Sequence, residues 1–137
     1  MSSLEIALID LVIANRVLAR IGAVDAYGHV SVRHPTEAGR FLLSCSRSPG
    51  LVDRGDIMQF DFEGNVIGKD NRPPYSERFI HAALYAARKD VRAVAHGHPR
   101  VLLPFTVATR EELTELTGAG RLVGGILLKT AFTLHDL

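Results

Sequence analysis

The sequence predicts a single α/β domain, and three observations carry that expectation. Apolar residues recur at helical spacing in two segments, one at the N-terminus and one over residues 76–89. Between them lie short extended runs of the kind that form strands, punctuated by Gly and Pro. The 137 residues are 47% hydrophobic, 23% charged and 7% aromatic, which suits one modest core.

Each element has a local reason. Ser2 and Glu5 have the spacing of a capping box, in which each side chain satisfies a free N–H of the first helical turn. Leu4, Leu8, Leu11, Val12 and Leu18 follow at near-helical spacing, and Gly22 supplies the stop. Extended pieces are expected at 29–33 and 40–44. Residues 56–62, the turn Glu63-Gly64-Asn65 and residues 66–68 read as a hairpin. Pro73-Pro74 break the chain before the second helix, which Ser76 is expected to cap, with Phe79, Ile80, Ala83, Leu84 and Ala87 as its buried stripe. Asp90 then turns the chain into a strand that ends at His96-Gly97-His98. Thr109 and Glu112 could cap a short helix closed by Gly118, and residues 121–137 are apolar and broken by glycine.

Composition excludes several classes. The formal net charge is +1 and the arginines are scattered, so a nucleic-acid partner is not expected and a small anionic substrate is easier to argue. No apolar run approaches the roughly 20 residues of a membrane span. One cysteine, Cys45, excludes an intrachain disulfide and reads as a small buried residue. Glu5 and Asp10 among the first apolar residues, with no basic leader, do not resemble a signal peptide, so a cytoplasmic protein is expected.

The residues that could carry chemistry cluster in three places. Side chains alternate along a strand, so His96 and His98 project from one face, and two such imidazoles make half of a transition-metal site. Glu77 and His81 share a helix face at i and i+4. A helix folding straight back into the strand puts Glu77 beside the two histidines, where it could ligate a metal or move protons; it could equally serve the helix dipole. On the strand opened by Gly28, His29, Ser31 and Arg33 share a face that could bind an anion or simply meet solvent. The loop 44–50, small and rich in donors, is an anion cradle or an ordinary turn. His34, before Pro35, reads as a surface residue.

In order, Gly28-His29-Val30-Ser31-Val32-Arg33, Ser46-Arg47-Ser48-Pro49-Gly50, Tyr75-Ser76-Glu77, His81 and Val94-Ala95-His96-Gly97-His98-Pro99 resemble the class II aldolase/adducin family over residues 5–107, with 108–137 a divergent tail of the same single domain. The resemblance implies a layered α/β domain, a largely antiparallel central sheet flanked by helices, with late elements missing as if the chain were C-terminally truncated. It assigns a divalent metal, usually zinc, to His96 and His98, and the catalytic acid/base, with access to the metal, to Glu77. It places substrate contacts on Gly28, His29, Ser31, Arg33, Ser48, Gly50 and Ser76. Family members are usually homotetramers, so a homo-oligomer is implied.

Two departures refine this. The sugar-phosphate aldolases carry Gly-Asn where this chain has Gly28-His29, and the Gly-His version is closer to the decarboxylase-like branch acting on dihydroxyphthalates and carboxylated muconate semialdehydes. The resemblance therefore implies a metal-dependent lyase that decarboxylates a small aromatic or enolisable acid through a metal-stabilised enolate, with Arg33 or Arg47 pairing the carboxylate. A sugar-phosphate aldolase and a non-catalytic adducin-like or truncated module are the alternatives. The family also draws a third metal histidine from a later His-Gly step, and no His-Gly follows His98; His135 is the sole later histidine.

Overall fold

A computed structural model describes residues 1–98 and two short strands, 122–123 and 126–127. Helix α1 (Ser3–Arg20) opens with the expected capping box, the Ser2 hydroxyl accepting from the Glu5 N–H while the Glu5 carboxylate accepts from the Ser2 N–H. Strands β1 (His29–Arg33), β2 (Arg40–Ser44), β3 (Ile57–Asp61) and β4 (Val66–Ile67) follow, with single 3-10 turns at Pro49–Leu51 and Arg54–Asp56. Helix α2 (Arg78–Ala87) leads to β5 (Ala93–His96). The strands form one antiparallel sheet in the order β4-β3-β2-β1-β5, so α2 and β5 return the chain to the free edge of β1. The remaining pair, β6 (Leu122–Val123) and β7 (Ile126–Leu127), is a small antiparallel ladder.

Alternation along the strands divides the core into two layers. Leu11 of α1 meets Val30 and Leu42 on one face, with Leu4, Leu8 and Leu18 half-buried around them. On the other face Phe41, Leu43, Met58, Phe60 and Val94 pack under Ala82 and Tyr85 of α2. Buried Asn15 ties α1 to the sheet: its Oδ1 accepts from the Val30 N–H at 3.2 Å and its Nδ2 donates to the Leu11 carbonyl. No helix among the described residues is long and apolar enough to cross a membrane.

Several expectations need correction. The inner stripe of α2 is His81, Ala82 and Tyr85, while Phe79, Ile80, Ala83 and Ala87 are exposed. Nearly every residue from 79 to 87 is apolar, so periodicity does not fix the phase; the hydrogen bonds that Ser31 shares with His81 and Tyr85 do. Residue Glu77, not Ser76, stands at the helix N-cap and makes no capping bond, and the Ser76 hydroxyl donates to the Glu77 carboxylate instead. His34 is buried, its Nδ1 accepting from the Thr36 and Glu37 N–H groups to close that turn. Cys45 is buried as expected. The helix expected over 109–118, and His135, lie outside the described residues.

Candidate functional site

The site forms at the end of the sheet where β1 begins and β5 ends. The antiparallel register sets His29 directly opposite His96, so both rings stand on the α2 face, with centroids 5.0 Å apart. His81, in the first turn of α2, brings a third ring to 4.9 Å from His29. Tyr75 stacks on the other side of His29 at 4.0 Å. His98 lies just past the strand, edge-on to His96 at 4.9 Å, with its Nδ1 3.2 Å from an Asp25 carboxylate oxygen.

Backbone elements hold these side chains in place. The segment before α2 runs beside the end of β2: Pro74 bridges Cys45, and the Ser46 N–H donates to the Pro73 carbonyl. That alignment sets Tyr75 over His29, and the Tyr75 hydroxyl donates to the Arg47 carbonyl while accepting from the Arg47 N–H. On the opposite side Val24 fills the gap between the two strand ends. A Cβ on Gly28 would fall 2.5 Å from the Val24 Cβ and 3.0 Å from the His96 carbonyl, and one on Gly97 2.9 Å from Val24 Cγ1. Both glycines are therefore explained by close packing between strand ends and loop.

Electrostatics follow burial. The His29 ring is fully buried, its Nδ1 donates to the Tyr27 carbonyl at 3.1 Å, and burial depresses its pKa to about 4. Burial brings His81 down to about 3 and lowers His96 as well, the neighbouring rings adding to both. The Glu77 carboxyl is held below its ordinary range by the Ser76 hydroxyl and its own backbone N–H, with His29 and His96 adding smaller attraction. Glu77 is thus an ionised carboxylate beside neutral imidazoles. Three buried nitrogens, Nε2 of His29, His81 and His96, have no hydrogen-bond partner among the described residues. Leaving such a group unsatisfied costs roughly 1–3 kcal/mol, so three in one cluster mark a place built for something else.

The donor set suits a divalent metal in kind: two touching imidazoles, one with an orphaned nitrogen, and a carboxylate within electrostatic reach. The set is open, however. Among the described residues no group of three His, Cys, Asp or Glu side chains is placed to hold one ion.

The remaining site residues divide. Glu77 lies near His96, which touches His98, as the short helix–strand connection suggested, and His29 joins them through the β1–β5 register. Ser31 is fully buried, its hydroxyl 2.7 Å from His81 Nδ1 and 2.8 Å from the Tyr85 hydroxyl, so its place is beneath the cluster. Arg33, four residues along β1 and so about 13 Å from His29, donates to the carbonyls of Tyr85, Arg88 and Val91. It closes the C-terminal end of α2 between the rings of Phe62 and Tyr85, neither meeting solvent freely nor reaching the histidines. Ser48 precedes the 3-10 turn of Pro49–Leu51, which lies against α1, where a Cβ on Gly50 would be 3.7 Å from Ala19. Arg47 is the cation of this loop, paired with Asp56 at 3.2 Å. Residue-by-residue reading gave no weight to Tyr75, Val24 or Asp25. An aromatic next to the Ser-Glu step was a usable signal for Tyr75; nothing local marks the other two.

Helices thus cover both faces of an antiparallel sheet, and histidines gather over one of its ends. The chain belongs to the class II aldolase and adducin family, whose N-terminal domain model matches residues 9–130. The match runs past residue 107, where the sequence resemblance was placed. A decarboxylase of Talaromyces stipitatus is 34% identical over 93 residues, 66% of this chain and 35% of that protein. An L-fuculose phosphate aldolase of Methanocaldococcus jannaschii is 30% identical over 111 residues, covering 80% and 58%. The solved L-fuculose 1-phosphate aldolase of Glaciozyma antarctica superposes with a TM-score of 0.68 at 28% identity, covering 77% of this chain and 47% of that one. The chain spans between 35% and 58% of the length of these two curated relatives.

Proposed function

We propose that the chain carries the metal-holding and proton-moving part of a divalent-metal-dependent carbon–carbon lyase, and that its substrate is a small aromatic or enolisable carboxylic acid. The observation that carries this reading is the edge contact of His96 and His98 beside an ionised Glu77, with the buried His96 Nε2 left without a partner. His96 and His98 would hold the cation, with Glu77 as the adjacent carboxylate. A bound divalent cation, of which zinc is the candidate, supplies Lewis-acid stabilisation of negative charge on a substrate oxygen, worth several kcal/mol.

The protein's own groups do the rest. As a carboxylate, Glu77 accepts the proton of a substrate hydroxyl. When the bond to the carboxyl group breaks, carbon dioxide leaves, the electron pair stays on the substrate carbon, and Glu77 returns the proton there. Such positioned proton transfer contributes roughly 10²–10⁴-fold. Arg47, tied to Tyr75 through its backbone, is the candidate contact for the departing carboxylate, with Asp56 competing for it. The decarboxylase among the relatives supports this choice over aldol cleavage of a sugar phosphate, and the Gly28-His29 step points the same way. The exposed stripe of Ile6, Ile9, Ile13 and Val17 along α1 accords with self-association.

Among the described residues the ligand set is open, which leaves a rival, a non-catalytic adducin-like module. Zinc stoichiometry separates the two. Wild type should bind zinc and the His96→Ala, His98→Ala double variant should not; equal negligible zinc in both would remove the lyase reading. With zinc present, dihydroxyphthalate-type acids should release carbon dioxide while sugar phosphates stay intact, and the reverse would restore the aldolase assignment.

A further inference from the structure

The hydrogen-bond arithmetic of the buried histidines says which nitrogen carries each proton. A carbonyl only accepts, so the bond from His29 to Tyr27 puts the His29 proton on Nδ1 and leaves a lone pair on Nε2. At His81 the count runs through Ser31. The Tyr85 hydroxyl has the Ser31 oxygen as its one hydrogen-bond partner among the described residues, so its proton is satisfied only when it is given to Ser31. Ser31 then gives its proton to His81 Nδ1, which leaves the His81 proton on Nε2. Side by side, with ring centroids 4.9 Å apart, stand one acceptor and one donor, both buried and without a partner among the described residues.

We propose that His29 Nε2 and His81 Nε2 form a buried acceptor–donor pair that seats one neutral hydroxyl of the substrate, a phenol, enol or alcohol, and turns away anionic oxygens. A hydroxyl satisfies both atoms at once, accepting from His81 and donating to His29. A carboxylate or phosphate dianion has no proton to give, and its charge meets the His29 lone pair in a site without water to screen it. Because the pair adjoins His96, this deepens the lyase reading and rests on it for the role of the seat: the substrate's hydroxyl, not its carboxylate, lies against β1. Ser31 is then a positioning residue, acting only by fixing the His81 tautomer. The Tyr75 ring, stacked on His29, holds the acceptor's plane.

The test is nitrogen-15 NMR of the full chain labelled at histidine, which reads the tautomer of each ring directly. Wild type should show His29 protonated only at Nδ1 and His81 only at Nε2. Phenol should shift both Nε2 signals along one binding curve, and benzoate at pH 8, the same ring bearing an anion, should leave them in place. In Ser31→Ala the His81 tautomer should no longer be single, and phenol affinity should fall about tenfold, the equivalent of one good hydrogen bond. A proton on His29 Nε2, or benzoate shifting the signals as phenol does, overturns the proposal, and the wild-type measurement decides this even if the variant fails to fold. A zinc titration of the same sample keeps the two readings apart: no zinc with the tautomers intact removes the lyase and leaves the pair standing, whereas bound zinc with the wrong tautomers does the reverse.

Discussion

Ser31→Ala should be among the most damaging single-atom deletions in this protein, although it removes one oxygen from a small side chain. The Ser31 oxygen is fully buried and bridges two other buried groups, His81 Nδ1 at 2.7 Å and the Tyr85 hydroxyl at 2.8 Å. Deleting it strands both, and each stranded group costs about 1–3 kcal/mol. The expected loss is therefore about 2–4 kcal/mol, a large part of a typical domain's stability. Tyr85→Phe removes one end of the bridge and leaves Ser31 bonded to His81, so it should cost less. The double variant no longer carries a stranded phenol and should cost less than the sum, by about 1 kcal/mol or more in a double-mutant cycle. Urea unfolding of the four proteins measures this. A Ser31→Ala loss below about 0.5 kcal/mol, or strict additivity with Tyr85→Phe, would refute the bridge as drawn.

Two further outcomes follow from the geometry. Arg33→Met should cost about 2–4 kcal/mol in urea unfolding, because three carbonyls lose a charged donor and two rings lose a stacked guanidinium, while zinc binding should not change. Stability unchanged with ligand binding lost would return Arg33 to the substrate. The metal-free protein should also lose stability on acidification. Below its ordinary pKa of 6.5 His29 takes up a proton in the unfolded chain but not in the folded one until about pH 4, so its contribution is complete above pH 6.5 and lost as pH falls towards 4. That is about 3 kcal/mol from His29 alone. His29→Gln should flatten this part of the curve, and an unaltered slope would contradict the burial argument.

Much of the fold was legible in the chain. The capping box of α1, the boundaries of β1 and β2 and the β3–β4 hairpin are written in local patterns, since capping and alternation involve residues only a few positions apart. The inner face of α2 was not, because a segment apolar on every side has no readable phase. Of the site, His96, His98 and Glu77 were legible through spacing and through one short connection between helix and strand.

What the sequence by itself determined is the order of elements and the presence of a histidine pair behind a Ser-Glu step. Tertiary structure decided the rest. The β1–β5 register, a contact between residues 67 positions apart, makes His29 the partner of His96. The same long-range packing sends Arg33 to the end of α2 and Ser31 beneath His81, although all three residues share one face of one strand. A strand fixes which face a side chain takes; only the neighbours that close over that face decide whether it meets a helix end, a buried bridge or a cluster of histidines.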